Sequence, residues 1–386
     1  MSTTLKPIAL DETLQATNTA LADVLKDSTG SAMVVVLKEI ANALSGEITP
    51  EVTTWKKVQT NIKKGLGETT YPLGTKFVVY KPANGTSIGT LVKYQLDVVA
   101  HNKHFKKVNG VATANYSMTL QFHELLNDKM QFDAEEGQYG LSLDTSVVSW
   151  KTYYSNTSGS VVSSPSGSPK DKGYYEKNNS NRVSYGNNCW RTSGLRQWLN
   201  ADPSLAAGAW WEKQHACDVA PAYSSYLPFQ AMLKEDTDGN DSGLLDVIGE
   251  VTIDYILSTV KRPDASSYYL DCDGNGEYGS SRLTYDTVDD KFFLPSCKEV
   301  YMSSYCEPNG VILDYYEDNS SLSAASDSAD TNRVKMQQSA SSATYWWLRS
   351  AYSSYSYGAR RVSTGGGGNG DSAYVTYGVA PLCCIY

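Results

Sequence analysis

The sequence predicts an α+β protein with an N-terminal helical segment, a small β-rich middle region and a C-terminal domain made largely of strands. Three observations carry this. Near the N-terminus Leu10, Leu14, Thr17, Leu21 and Val24 recur at alternating helical spacings of four and three. Farther on, β-branched and aromatic residues cluster in short runs, as in Phe77–Tyr80, Leu91–Val99 and Val247–Leu257. Turn chemistry punctuates these runs, at Asn84-Gly85 and in the glycine-rich stretch from Gly365 to Gly370.

Taken in order, residues 8–46 read as two helices broken at Thr29-Gly30-Ser31, the second with Met33, Val36, Leu37, Ile40 and Leu44 on one face. Two short helices are marginal alone. Residues 1–48 are therefore expected to oligomerise or dock, with packing on the neighbouring domain as the alternative. Residues 49–150 read as a β-rich or α+β scaffold. It opens with a helix on Trp55, Val58 and Ile62 that Gly65 and Gly67 end, and it contains Tyr116–Phe122 as a strand or helix entry. Residues 151–180, with Tyr153, Tyr154, Tyr174 and Tyr175, read as an exposed Tyr/Ser/Asn-rich excursion.

Residues 181–386 read as the ligand-binding domain. Ser193 is placed to cap a helix with Leu195, Trp198 and Leu199 on its inner face, stopped at Asn200, Asp202 and Pro203. Phe292-Phe293-Leu294 reads as a buried strand halted by Pro295. Ser296 and Glu299 then stand at capping-box spacing before a short helix. In the last strand, alternation predicts one of Cys383 and Cys384 inside and the other outside.

Composition excludes several classes. Hydrophobic residues make up 41% and charged residues 19%, which fits neither a disordered nor a membrane-embedded chain. A formal net charge of -9 disfavours nucleic acid as a general partner. No apolar run reaches membrane-spanning length, and Met1-Ser-Thr-Thr-Leu has no signal-peptide pattern. The 7 cysteines are irregularly spaced without a CxxC pair, as expected of reduced thiols made in a cytoplasm. The 28 tyrosines against 7 phenylalanines suit partly wet cores and binding surfaces.

The tyrosines concentrate near the C-terminus. Trp346, Trp347, Leu348, Val362, Val375, Val379 and Leu382 read as frame. Between them Tyr352, Ser353, Ser354, Tyr355, Ser356, Tyr357, Ser363, Asn369, Asp371, Ser372 and Tyr374 read as loop content for ligand binding. Tyrosine gives rigid contact area at low entropic cost, and Ser, Gly and Asn adapt around it. Arg360 and Arg361 lie between these loops, so at least one is expected at the surface. Arg360 joins the candidate ligand-binding set as a cationic anchor. Arg349 is expected to pin the domain from inside, against a carboxylate.

The metal candidates are Asp271, Asp273, Asn275 and Glu277, whose alternating oxygen donors copy the first half of a calcium loop. Arg282 stands where its closing Glu would fall, and an Asp/Asn-rich turn is the alternative. Asp236-Thr-Asp238-Gly-Asn240 repeats the alternation. Calcium is thus the one candidate cofactor. His101 and His104 read as residues of a solvated loop beside Lys103, Lys106 and Lys107. There is no HExxH, no G-x-S-x-G and no phosphate-binding glycine motif, so no catalytic residue is assigned and no enzymatic activity is expected.

Four segments together carry a resemblance: Asn188–Trp190, Leu195–Asn200, Asp290–Ser296 and Trp347–Ser350, closed by Gly378-Val379-Ala380-Pro381. In this order they resemble the phage and bacterial variable proteins of diversity-generating retroelements, a gut-phage domain family with a C-type-lectin-like fold. Ala380 departs from that pattern, since members often carry Arg before the closing Pro. The resemblance implies a non-enzymatic recognition protein that displays a diversified C-terminal surface to a protein or glycan on a host cell. It implies a homo-oligomer or virion component, at a virion surface or tail tip, made in a bacterial cytoplasm and without membrane insertion. A virion structural or decoration protein, or a carbohydrate-active enzyme, remains the alternative.

Overall fold

The computed structural model describes residues 47–48, 54–83, 85, 89–135, 186–214, 218–240, 243–257, 284–303, 310–338, 340–352 and 357–386. The helices expected within 8–46, the excursion at 151–180 and the calcium loop at 271–277 lie outside the described residues.

The architecture is mixed α+β, with short helices around several sheets. Helix α1 (Trp55–Lys63) buries Trp55, Val58 and Ile62, as its apolar spacing requires, and the Thr54 side chain accepts from the Lys57 amide. It is followed by the single turn α2 (Gly67–Thr70). The main sheet draws on β1 (Glu47–Ile48), β2 (Lys76–Pro82), β3 (Leu91–His101), β6 (Met118–Phe122), β8 (Ile248–Gly249), β11 (Phe292–Phe293) and β16 (Leu382–Ile385). Its order is β1-β2-β3-β6-β16-β11, with β8 also paired to β16. The β1–β2 pair is parallel and the others antiparallel.

The C-terminal strand is therefore central. Leu382 and Cys383 pair with Gln121 and Leu120 on one side and with Phe293 and Phe292 on the other. Cys384 and Ile385 pair with Thr119 and Met118, and with Gly249 and Ile248. This corrects the expectation for the two cysteines. Both are buried, because a strand covered on both faces has no outward side.

Smaller sheets surround this one. They are β4 (Lys107–Val108) with β5 (Val111–Ala112), β7 (Met130–Gln131) with β15 (Thr376–Tyr377), and β9 (Val251–Leu257) with β10 (Thr284–Asp290). The last is β12 (Trp346–Ala351), β13 (Gly358–Val362) and β14 (Gly368–Ser372). Helix α3 (Gly194–Asn200) begins where expected: the Ser193 hydroxyl accepts from the Arg196 amide at 3.2 Å, and Leu195, Trp198 and Leu199 are buried. Two further short helices are α4 (Phe229–Met232) and α5 (Asp314–Asp318).

Described residues of 49–150 and 181–386 share one core. A single cluster joins Trp55, Phe77 and Leu120 to Trp190, Trp347 and Leu382. Two strand pairs bind the regions together, β6 with β16 and β7 with β15.

Candidate functional site

The recognition residues expected from sequence fall on the β12–β13–β14 sheet. β13 pairs with β14 from Gly358↔Ser372 to Val362↔Gly368, and β12 pairs with β13 across an irregularity between Trp347 and Ala351. Every residue of β12 is buried, whereas every residue of β14 is half-buried or exposed. The sheet thus has one closed edge and one open edge. Trp346 and Trp347 are inside, as expected, and their indoles donate to the carbonyls of Arg333 (3.0 Å) and Met130 (2.9 Å). Such paired polar handles fix large rings in one orientation.

Tyr352 and Tyr357 are half-buried where the chain leaves β12 and enters β13, and the Tyr352 amide donates to Gly358 O at 2.7 Å. The Tyr352 ring lies over Gly370, where any Cβ would run into it. The Arg360 guanidinium sits 4.6 Å from the centroid of the same ring. Asn369 is exposed, while Ser363, Asp371, Ser372 and Tyr374 are half-buried. Ser353, Ser354, Tyr355 and Ser356 lie outside the described residues, as do the metal candidates Asp271, Asp273, Asn275 and Glu277.

The expected exposure of Arg360 or Arg361 is corrected. Arg360 is buried beneath Tyr352, with Asp327 at 3.7 Å. Arg361 is half-buried, 4.1 Å from the Tyr345 ring centroid and 5.1 Å from that of Tyr377. Asp371 closes this group: it accepts from the Tyr377 hydroxyl at 2.5 Å and lies 3.3 Å from Arg361 Nε. Burial pushes the Tyr377 phenol up to about 12. Arg360 and Arg361 are consecutive on β13 and so point to opposite faces, where they stack on three tyrosines and brace the sheet from both sides.

The turn in the glycine-rich stretch is also fixed. Gly366 has φ 82° and its missing Cβ makes room for the Asp330 carbonyl. The second acidic loop is self-satisfied: Asp236 Oδ1 accepts from the amides of Asp238 (2.9 Å) and Asn240 (3.3 Å), the Asx-turn geometry of such a sequence. Among the described residues, no group of three or more His, Cys, Asp and Glu is arranged to hold a metal ion.

Two other constellations were not legible as sites in the sequence. One is a buried charge cluster. Arg349 grips Glu299 with two bonds, Nη1 to Oε2 (2.5 Å) and Nη2 to Oε1 (2.7 Å), and also donates to the carbonyls of Leu294 and Asp254. This meets the expectation that Arg349 pins the domain against a carboxylate. His104 Nε2 lies 3.1 Å from Glu299 Oε1 and its Nδ1 3.1 Å from the Thr119 hydroxyl. Burial alone would push the Glu299 carboxyl up, but the Arg349 charge and the His104 hydrogen bond outweigh it and hold it down at about 2. The Ser296–Glu299 capping box forms reciprocally, at 2.9 and 3.2 Å, yet it closes a turn and not a helix. His101 and His104 are both buried, not solvated, because His101 bonds to the Tyr71 carbonyl and His104 to this cluster.

The other is a cavity of about 310 Å³ lined by Asp97, His123, Glu124, Tyr315 and Lys335, among others. Asp97 Oδ2 accepts from His123 Nδ1 at 2.5 Å and Oδ1 from Lys76 Nζ at 2.7 Å. Burial pushes the Lys335 ammonium down to about 8, although it donates to the carbonyls of Phe122 and His123. A carboxylate–imidazole couple can accept a proton from a bound donor. The described lining residues include no Ser, Thr or Cys to be activated as a nucleophile. Only a fold that joins residues 76–123 to residues 315–340 creates this cavity, so no local pattern announces it.

An α+β protein with one shared core and an open-edged sheet braced by stacked tyrosines and arginines is the class these features define. The chain belongs to the family described as a domain of unknown function (DUF6273), which it matches over residues 160–386. No curated protein matches it, and no solved structure does. The family match leaves out β2, β3 and β6, although they share the sheet of β16. Among the described residues no helix is long and apolar enough to cross a membrane.

Proposed function

We propose that the protein is a non-enzymatic recognition protein whose binding face is the open edge of the β12–β13–β14 sheet together with the residues that join β12 to β13. The observation that carries this reading is the contrast within that sheet. β12 is wholly buried, while β14, Tyr352, Tyr357 and Tyr374 reach solvent with Tyr, Ser, Asn and Asp side chains. A stiff frame beneath an adaptable polar and aromatic surface suits binding by shape and hydrogen-bond complementarity. With the Trp347–Ser350 strand and the Gly378–Pro381 closure, the arrangement supports a C-type-lectin-like variable protein of a phage or prophage. It would be displayed at a virion surface and directed at a protein or glycan on a host cell. Oligomerisation through residues 1–48 would convert weak contacts into avidity.

The test is genetic. Under this reading the neighbouring DNA holds a near-copy of the segment coding for residues 345–380, differing mainly at adenines, beside a reverse-transcriptase gene. Its absence would leave a fixed-sequence protein, and the virion structural reading would replace diversified recognition.

A further inference from the structure

A second cavity, of about 390 Å³, opens beside the buried charge cluster and lies within the range of small-molecule pockets, about 300–1,000 Å³. Its walls include Lys103, Lys107, Thr252, Asp254, Thr287 and Glu299. Asp254 follows Thr252 by two residues on β9, so both side chains share one face of the strand. Thr252 on that face accepts from the Lys107 amide at 2.9 Å, which turns the face toward the β4–β5 hairpin and the cavity.

Asp254 is 8% exposed, and its Oδ2 is buried without a hydrogen-bond partner among the described residues. Its Oδ1 is 3.9 Å from Arg349 Nη2, a guanidinium whose two best bonds go to Glu299. One guanidinium thus faces two carboxylates. Two carboxylates share that guanidinium, and Asp254 is the less tightly held of the two. Buried carboxylates ordinarily find a donor. One orphaned oxygen is too few for a metal ion, and no metal-binding group of three occurs among the described residues. The mouth has the opposite sign. Lys107 is exposed there and supplies the positive charge, since Lys103 is already paired to Asp314 at 2.9 Å. A negative floor under a positive rim complements a small molecule with a cationic head and an anionic group close behind it.

We propose that this cavity binds a small zwitterion of the α-amino-acid type, its ammonium donating to the Asp254 carboxylate and its carboxylate meeting Lys107. The site is separate from the recognition face, so neither reading depends on the other.

Isothermal titration of the full chain with glycine, L-serine, L-leucine and L-lysine, with their N-acetyl derivatives and with calcium chloride, tests this. At least one free amino acid should bind. Its N-acetyl derivative, which lacks the ammonium, should bind about tenfold more weakly or worse. Asp254→Asn should abolish the heat signal with an unchanged circular dichroism spectrum, and Lys107→Ala should weaken binding about threefold. Should Asp254→Asn fail to fold, the N-acetyl comparison and Lys107→Ala still decide. The proposal is overturned if no free amino acid binds the wild type, if N-acetyl derivatives bind as tightly, or if either folded variant binds like the wild type. Calcium binding that Asp254→Asn removes would also overturn it, by making the site one for a cation alone.

Discussion

Replacing Arg349 by Met should be among the most damaging single changes in the described core. The methionine fills much of the same space, but Glu299 loses both arms of its guanidinium clamp and keeps its burial. Breaking one side of a buried ion pair costs about 3–5 kcal/mol, because the remaining charge has nowhere to go. The depression of the Glu299 carboxyl to about 2 from 4.5 gives a similar size, about 3 kcal/mol by linkage. The sign follows from the direction. A carboxyl lowered in the folded state contributes stability that is present above pH 4.5 and lost as the pH falls toward 2. In Arg349→Met the burial cost is no longer outweighed, so the carboxyl moves up and the variant regains relative stability in acid. Urea unfolding at pH 7 and pH 4 measures both effects. Adding Glu299→Gln to Arg349→Met should recover part of the loss, since it removes the stranded charge. A loss below about 1 kcal/mol at pH 7, or an unchanged difference from wild type at pH 4, would refute the reasoning.

Three further outcomes are expected. Ser193→Ala removes the cap of α3 and should cost about 1 kcal/mol in urea unfolding. A chain trimmed to residues 160–386 lacks β2, β3 and β6 and should fail to give a cooperative melt, because one side of β16 is left unpaired. Lys335 is lowered to about 8 in the folded state, so its contribution to stability should rise as the pH climbs from about 8 toward its ordinary value. The difference between wild type and Lys335→Met across that window isolates this effect from other titrating groups.

What the sequence showed best was local. The helix on Leu195, Trp198 and Leu199 and its Ser193 cap follow from period and capping chemistry alone. The strands at Phe77–Tyr80 and Leu91–Val99 and the buried Trp346 and Trp347 follow from β-branched and aromatic runs. The Ser296–Glu299 pair marked its hydrogen bonds correctly, although the chain turns there instead of coiling. What it hid was long-range. Nothing near Cys383 and Cys384 says that β6, β8 and β11 will make theirs a central strand, or that the sheet will be covered on both faces, which is what buries both. Arg360 read as a surface anchor because its neighbours are polar. In the fold Tyr352 covers it, and Gly370 makes that approach possible. The Glu299 cluster draws on residues 104, 254, 299 and 349, so no single stretch of chain holds its pattern.

The most direct test of the recognition account is adhesion of the purified protein to intact bacterial cells that bind it. Asn369→Ala, Ser372→Ala and Tyr374→Ala would be combined in one variant, with its melting temperature recorded in parallel. The account predicts that adhesion is lost while the melting temperature stays within about 4 °C of the wild type, since side chains on the open edge contribute little to the frame. Undiminished adhesion by the folded variant would contradict it.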